Sequence, residues 1–230
     1  MKTIGLIGGM SWESSATYYN LINQKIKKQL GGHHSAQCIL YSVDFDEIAY
    51  LQHKGDWGRL AKIMVSAAQN LERGGADFII LCTNTMHKLA DDIISCINIP
   101  FLHIAGATAS ALKEKGIRKA ALLGTLYTME EDFLRGKISK EYGIDIIIPD
   151  ANQRKKIHDI IYEELVHGIV KQESRKIYLD TMNTLAEAGA EGIILGCTEI
   201  GMLITPGTTD ILLFDTTQIH ADAAVTFALA

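Results

Sequence analysis

Three observations predict an α/β fold. Short β-rich apolar runs alternate with longer stretches whose apolar residues recur at three-to-four spacing. The alternation runs the whole length of the chain, as βαβ units with mainly parallel sheets covered by helices require. The pattern also repeats itself at about half the chain length. Taken in order, buried strands are expected at 3–8 (TIGLIG), 38–43 (CILYSV), 78–82 (FIILC) and 100–104 (PFLHI). The second half adds 120–124, 145–149, 192–197 and 211–215. Helices are expected over 12–30, 58–73, 151–167 and 174–188. Asp150 followed by Gln153 is a capping-box signature and marks where the third of these starts.

The repeat is specific. Gly8 in GLIGG matches Gly124 in ALLGT, Cys82 matches Cys197, and Phe101 matches Phe214, at offsets of 116, 115 and 113 residues. The approach to each cysteine repeats as well, ERGGADFIILC beside AEAGAEGIILGC. An internal duplication predicts two similar lobes related by a pseudo-twofold axis, with a site between them.

Composition narrows the function. The chain has 230 residues, 47% hydrophobic and 21% charged, enough to bury one large core or two small ones. A formal charge of −5 argues against nucleic acid or an anionic membrane as partner. Its densest basic stretches, KIKK (25–28) and RKK (154–156), fall in helical patterns and read as solvated faces. No run of 18 apolar residues predicts a membrane span, and the first ten residues lack the form of a signal peptide. A cytoplasmic location is expected, with all four cysteines reduced.

Ligands of open α/β sheets bind beyond the carboxyl ends of the strands. Cys82 and Cys197 both sit at such ends, each expected just before a helix whose N–H groups and partial positive charge would attract a carboxylate and lower the thiol pKa. Two tuned thiols suit the inversion of a stereocentre, where one group takes a proton from one face and another delivers one to the opposite face. The developing carbanion needs electrostatic help, and Thr83, Asn84, Thr85, Thr198 and Glu199 flank the thiols with groups able to grip an α-carboxylate.

Other signals are weaker. Cys38 and Cys96 lack polar flanks and read as structural. No CxxC or HxxxH spacing supports zinc, and His33–His34 lies in a glycine-rich loop. GLIGGM does not have the GxGxxG spacing and no Walker lysine follows, though a glycine turn before a helix could hold a carboxylate through N–H groups near Met10 and Ser11.

IGLIGGMSWESSATYY, LCTNTMHKLAD and GCTEIGML resemble the aspartate/glutamate racemase family over nearly the whole chain. The resemblance implies a cofactor-independent amino-acid racemase with two α/β lobes, acting on a small-molecule amino acid and often homodimeric. It carries Cys82 and Cys197 over as the acid/base thiols and places substrate contacts on Met10, Gln52, Asn84, Thr85, Thr198 and Glu199. It also implies that the helix after the last strand crosses back onto the first lobe, giving lobes of 1–104 plus 215–230 and of 105–214. The sequence departs from the aspartate pattern at Glu47, where an arginine is expected, and at His167, at or beside an expected lysine. A protonated His167 could replace that lysine, and Lys54 and Arg59 could supply charge from the loop. Aspartate or glutamate is therefore the first substrate reading, and a broad set of neutral amino acids the alternative. Related two-cysteine isomerases of maleate, decarboxylases of arylmalonates and racemases of hydantoins, or a binding protein without turnover, are the competing functions.

Overall fold

A computed structural model describes residues 1–205 and 207–230 and divides the chain into two compact units, Met1–His103 with His220–Ala230 and Ile104–Ile219. The helix that returns to the first unit is itself split by this division, which falls at 219/220 and not ahead of that helix at 214/215.

The first unit holds β1 (Ile4–Gly8), α1 (Trp12–Leu30), β2 (Cys38–Ser42), α2 (Phe45–Lys54), α3 (Trp57–Arg73) and β3 (Phe78–Leu81). A 3-10 turn (Thr85–Leu89) and α4 (Ala90–Ile94) follow. The strands are parallel in the order β2-β1-β3. Alternation along them feeds two cores. Ile7, Ile79 and Leu81 face α3, which buries Leu60, Met64, Ala67, Ala68 and Leu71 at helical spacing. Ile4, Leu6, Phe78 and Ile80 face the opposite way, onto Tyr18, Ile22 and Ile26 of α1.

The second unit holds α5 (Ile104–Glu114), β4 (Lys119–Leu123), α6 (Leu126–Glu130), α7 (Arg135–Tyr142), β5 (Asp145–Ile147) and α8 (Ala151–Glu163). A 3-10 turn (Leu165–His167), α9 (Gln172–Glu187), β6 (Gly192–Leu195), α10 (Ile200–Leu203), β7 (Leu212–Asp215) and α11 (Thr216–Leu229) complete it and lead back to the first unit. The parallel order is β5-β4-β6-β7. Asp150 and Gln153 form the expected reciprocal capping box at the start of α8.

Two expected elements are shorter than the sequence suggests. The run 100–104 contributes only Phe101, bridged to Ile79. Ladder bonding stops there because the Leu102 carbonyl is taken by His220 Nε2 at 2.8 Å, and α5 starts at Ile104. The helix expected over 151–167 ends at Glu163 and tightens into the 3-10 turn. No helix among the described residues is long and apolar enough to cross a membrane.

His220 pins α11 into the first unit. A carbonyl can only accept, so Nε2 carries the proton toward Leu102, and Nδ1 accepts from the Tyr18 hydroxyl at 3.0 Å. Burial lowers the His220 pKa from its ordinary 6.5 to about 4. Between those values the unfolded chain binds a proton that the folded chain refuses, so stability is full above 6.5 and is lost as pH falls toward 4. The linked loss is about 3 kcal/mol. Urea denaturation at pH 7 and pH 4.5 is expected to show it, with a shallower pH dependence in His220→Gln.

Candidate active site

The strand register fixes which residues of the two units correspond. Asp77 N–H donates to the Thr3 carbonyl and Glu191 N–H to the Lys119 carbonyl, both at 2.9 Å. At the other ends, Cys82 N–H donates to the Ile7 carbonyl at 2.9 Å and Gly196 N–H to the Leu123 carbonyl at 2.7 Å. Ile7 pairs with Leu81 as Leu123 pairs with Leu195. The structural counterpart of Cys82 is therefore Gly196, and the counterpart of Cys197 is Thr83. This corrects the pairing of Cys82 with Cys197, which is out of register by one residue.

One residue matters because side chains alternate across a strand. Cys82 continues the Phe78–Ile80 face into the apolar cluster beneath α1 and α11 and is 1% exposed. Burial pushes its thiol far above the ordinary range. At Gly196 a Cβ would come within 2.9 Å of the Leu123 carbonyl oxygen, so that position admits no side chain at all. The next residues, Thr83 and Cys197, are half-buried just beyond the strand ends.

The expected lowering of thiol pKa by following helices also fails. Cys197 precedes α10, which has only four residues, and residue 83 precedes a five-residue 3-10 turn. Neither aligns enough peptide units for a substantial dipole. Burial instead raises the Cys197 thiol well above its usual value, and the Glu199 carboxylate adds to the rise. The Cys197 Sγ donates to Glu199 Oε2 at 2.8 Å, while the N–H groups of Glu199 and Thr198 pull the pKa down by less. The thiol is thus held protonated beside a carboxylate.

Other expected contacts fall on the carboxyl edge of one sheet or the other. In the first unit, Met10 is buried and Ser11 caps α1 by accepting from Ser14 N–H at 3.3 Å. They follow β1 through Gly9, whose φ of 91° suits glycine and where a Cβ would strike the Val43 backbone. Asn84 is buried, Thr85 opens the 3-10 turn, and Gln52 Nε2 lies 3.1 Å from Met86 Sδ. In the second unit, Thr198 and Glu199 flank Cys197.

The three candidate cations are all exposed. His167 is exposed on its 3-10 turn. Arg59 pairs with Glu47 at 3.8 Å, and the Lys54 ammonium lies over the Tyr50 ring. Sequence reasoning missed the aromatic hydroxyls near Cys197. Burial raises Tyr162 to about 12 and Tyr178 well above its ordinary value, and Cys197 and Glu199 contribute to both. They lie on α8 and α9, remote in sequence from the cysteine, where nothing distinguishes them from core residues. The His158 ring lies 4.7 Å from the Tyr162 ring, tilted by 50°, and His158 Nδ1 accepts from Leu126 N–H at 3.3 Å.

The profile of the Asp/Glu/hydantoin racemases matches residues 7–224. The chain belongs to that family. A Yersinia pestis protein assigned to the Asp/Glu racemases has a solved structure that superposes with a TM-score of 0.96 at 52% identity, covering all of both chains. An aspartate racemase homologue from Pyrococcus horikoshii superposes at 0.87 with 33% identity, again over both whole chains. The broad-specificity amino-acid racemase RacX of Bacillus subtilis is 25% identical over 99% of this chain and 98% of its own. As a member of a racemase family the protein is an isomerase, and the carboxyl strand ends that carry Thr83 and Cys197 are the racemase site candidates.

Proposed function

We propose that this racemase inverts the α-carbon of amino acids with Cys197 as one proton-transfer group and the Thr83 hydroxyl as the other. The observation that carries the reading is the Cys197 Sγ–Glu199 contact at 2.8 Å, at a register position that Thr83 occupies in the first unit. Abstraction breaks the Cα–H bond and moves its electron pair toward the α-carboxylate; delivery from the other face makes the new Cα–H bond. Glu199 suits the α-ammonium group. Its charge opposes formation of the thiolate, and an ammonium beside it removes that opposition, so substrate itself activates the thiol.

Glu47 stands where the aspartate pattern has an arginine, His167 is exposed, and the RacX relative is named a broad-specificity amino-acid racemase. This favours the broader reading, a racemase that accepts neutral side chains. Acidic substrate remains the second reading, supported by the names of the Yersinia and Pyrococcus relatives. Incubating the protein in D2O with L-aspartate and separately with L-homoserine tests both. Loss of the α-proton signal with appearance of the D-form on homoserine supports the broad reading, and turnover of aspartate alone supports the acidic one. No exchange on either sinks the racemase proposal.

Glu199→Gln gives a direct check on the thiol. Removing the carboxylate removes one cause of the raised pKa, so Cys197 is expected to alkylate with iodoacetamide at lower pH than in the parent. Site-resolved mass spectrometry separates it from the exposed Cys96. An unshifted profile would show that Glu199 does not control the thiol.

A further inference from the structure

The histidine of LCTNTMH has no part in the proton transfers proposed above, yet it is one of the most enclosed polar residues in the chain. His87 is 2% exposed. Its Nδ1 lies 2.7 Å from the Thr83 carbonyl, four residues back, and its backbone N–H donates to the Asn84 carbonyl at 3.0 Å. One residue therefore holds the two carbonyls that follow Cys82. The acceptor is a carbonyl, so Nδ1 carries the proton. Burial, together with His103 and His220, holds the ring well below its ordinary pKa and hence neutral.

The ring cannot readily turn away. It lies 4.7 Å from the His103 ring, 5.6 Å from that of His220 and 5.7 Å from that of Phe101. His220 is in turn fixed by Tyr18 and the Leu102 carbonyl. The second unit solves the same problem differently: the Cys197 carbonyl, at the matching register, accepts from the Ile200 backbone N–H at 3.2 Å. Where α10 supplies a backbone donor, the first unit uses an imidazole wedged among aromatic rings.

We propose that His87 is a positioning residue that sets the orientation of Thr83 by holding its carbonyl, and that the packed rings of His103, Phe101 and His220 hold His87 in turn. This rests on the assignment of Thr83 as one of the two proton-transfer groups. A small misplacement of a reacting group costs on the order of 10²-fold in rate.

The test separates two readouts that a merely structural role would move together. When Cys197 takes the α-proton, exchanges its S–H with solvent and redelivers to the same face, one enantiomer exchanges its α-proton without inverting, whereas inversion also needs residue 83. With His87→Leu we expect inversion to fall about 10²-fold while exchange from the enantiomer served by Cys197 stays within a few-fold of the parent. His87→Asn, whose amide N–H overlays Nδ1, is expected to restore inversion to within a few-fold of the parent. If His87→Leu does not fold, His87→Gln, whose amide reaches past the Nδ1 position, replaces it with the same expectation. Parent-like inversion in the disruptive variant overturns the proposal. So does a joint fall of exchange and inversion, or an Asn variant no better than Leu. Thr83→Val is run alongside: if it inverts like the parent, the assignment of Thr83 has failed and this inference falls with it. If Thr83→Val loses inversion while His87→Leu keeps it, the positioning role alone is wrong.

Discussion

Cys197→Ala is expected to lower inversion, and with it α-proton exchange of the enantiomer that Cys197 serves, by about 10³- to 10⁴-fold or more. A proton-transfer group contributes in this range when its partner stays in place, and no second thiol is available to substitute. Cys82 is enclosed in the apolar cluster with Ile4, Leu6 and Phe78. Cys38 and Cys96 lie on β2 and just after α4, away from the carboxyl strand ends that carry the site residues. Serine at 197 is expected to rescue little, because a hydroxyl ionises far less readily than a thiol. NMR of the α-proton from each pure enantiomer in D2O, with chiral chromatography, reads both quantities in one tube. If both enantiomers still exchanged in Cys197→Ala, a group other than Cys197 would be taking its proton, and the assignment would fail.

Thr83→Val is expected to separate exchange from inversion. Valine keeps the shape of threonine and removes the hydroxyl, so inversion should drop about 10²- to 10³-fold while Cys197 continues to exchange the enantiomer it serves. Thr83→Cys is expected to move the other way and raise inversion about 10-fold or more, since a thiol is a better matched acid and base near neutral pH than a hydroxyl. Because the two enantiomers have equal free energy, kcat/KM must change equally in both directions; the informative quantity is exchange relative to inversion. Cys82→Ala serves as the control. It should lose stability through a small cavity and leave the exchange-to-inversion ratio alone. A Cys82→Ala variant that loses inversion while folded would restore the two-thiol assignment.

Much of the fold was legible in the sequence. Helices α1, α3 and α9 lie within two residues of where periodicity places them, and the Asp150–Gln153 capping box is present as read. Those signals are local and do not depend on what packs against them. The correspondence between the halves was legible only to within one residue. Aligning two cysteines by identity ignored GADFIIL and GAEGIIL, which agree at an offset of 114 and set Cys82 against Gly196. In a strand that single residue decides between core and site. The thiol pKa was misjudged for another reason: the helices after residues 83 and 197 are only five and four residues long, and side-chain periodicity does not resolve such short elements. Tyr162, Tyr178 and the ring packing around His87 depend on contacts between segments distant in the chain, which no local pattern displays.

The return of α11 has a consequence for biosynthesis. The first unit lacks Ala221, Ala224, Val225 and Ala228 of its inner core, and the His220 bonds to Tyr18 and Leu102, until residues 220–230 have been made. The segment 104–219 contains every residue of its own apolar cluster. Although domains usually fold in order of synthesis, here the unit begun first is completed last. Its β1–β3 sheet must wait on the ribosome with the α1 face of Tyr18 and Ile22 incompletely covered while the later unit closes. A chain ending at residue 219 and held on the ribosome by a linker long enough to clear the exit tunnel should therefore present a protease-resistant 104–219 core beside a cleavable 1–103 segment.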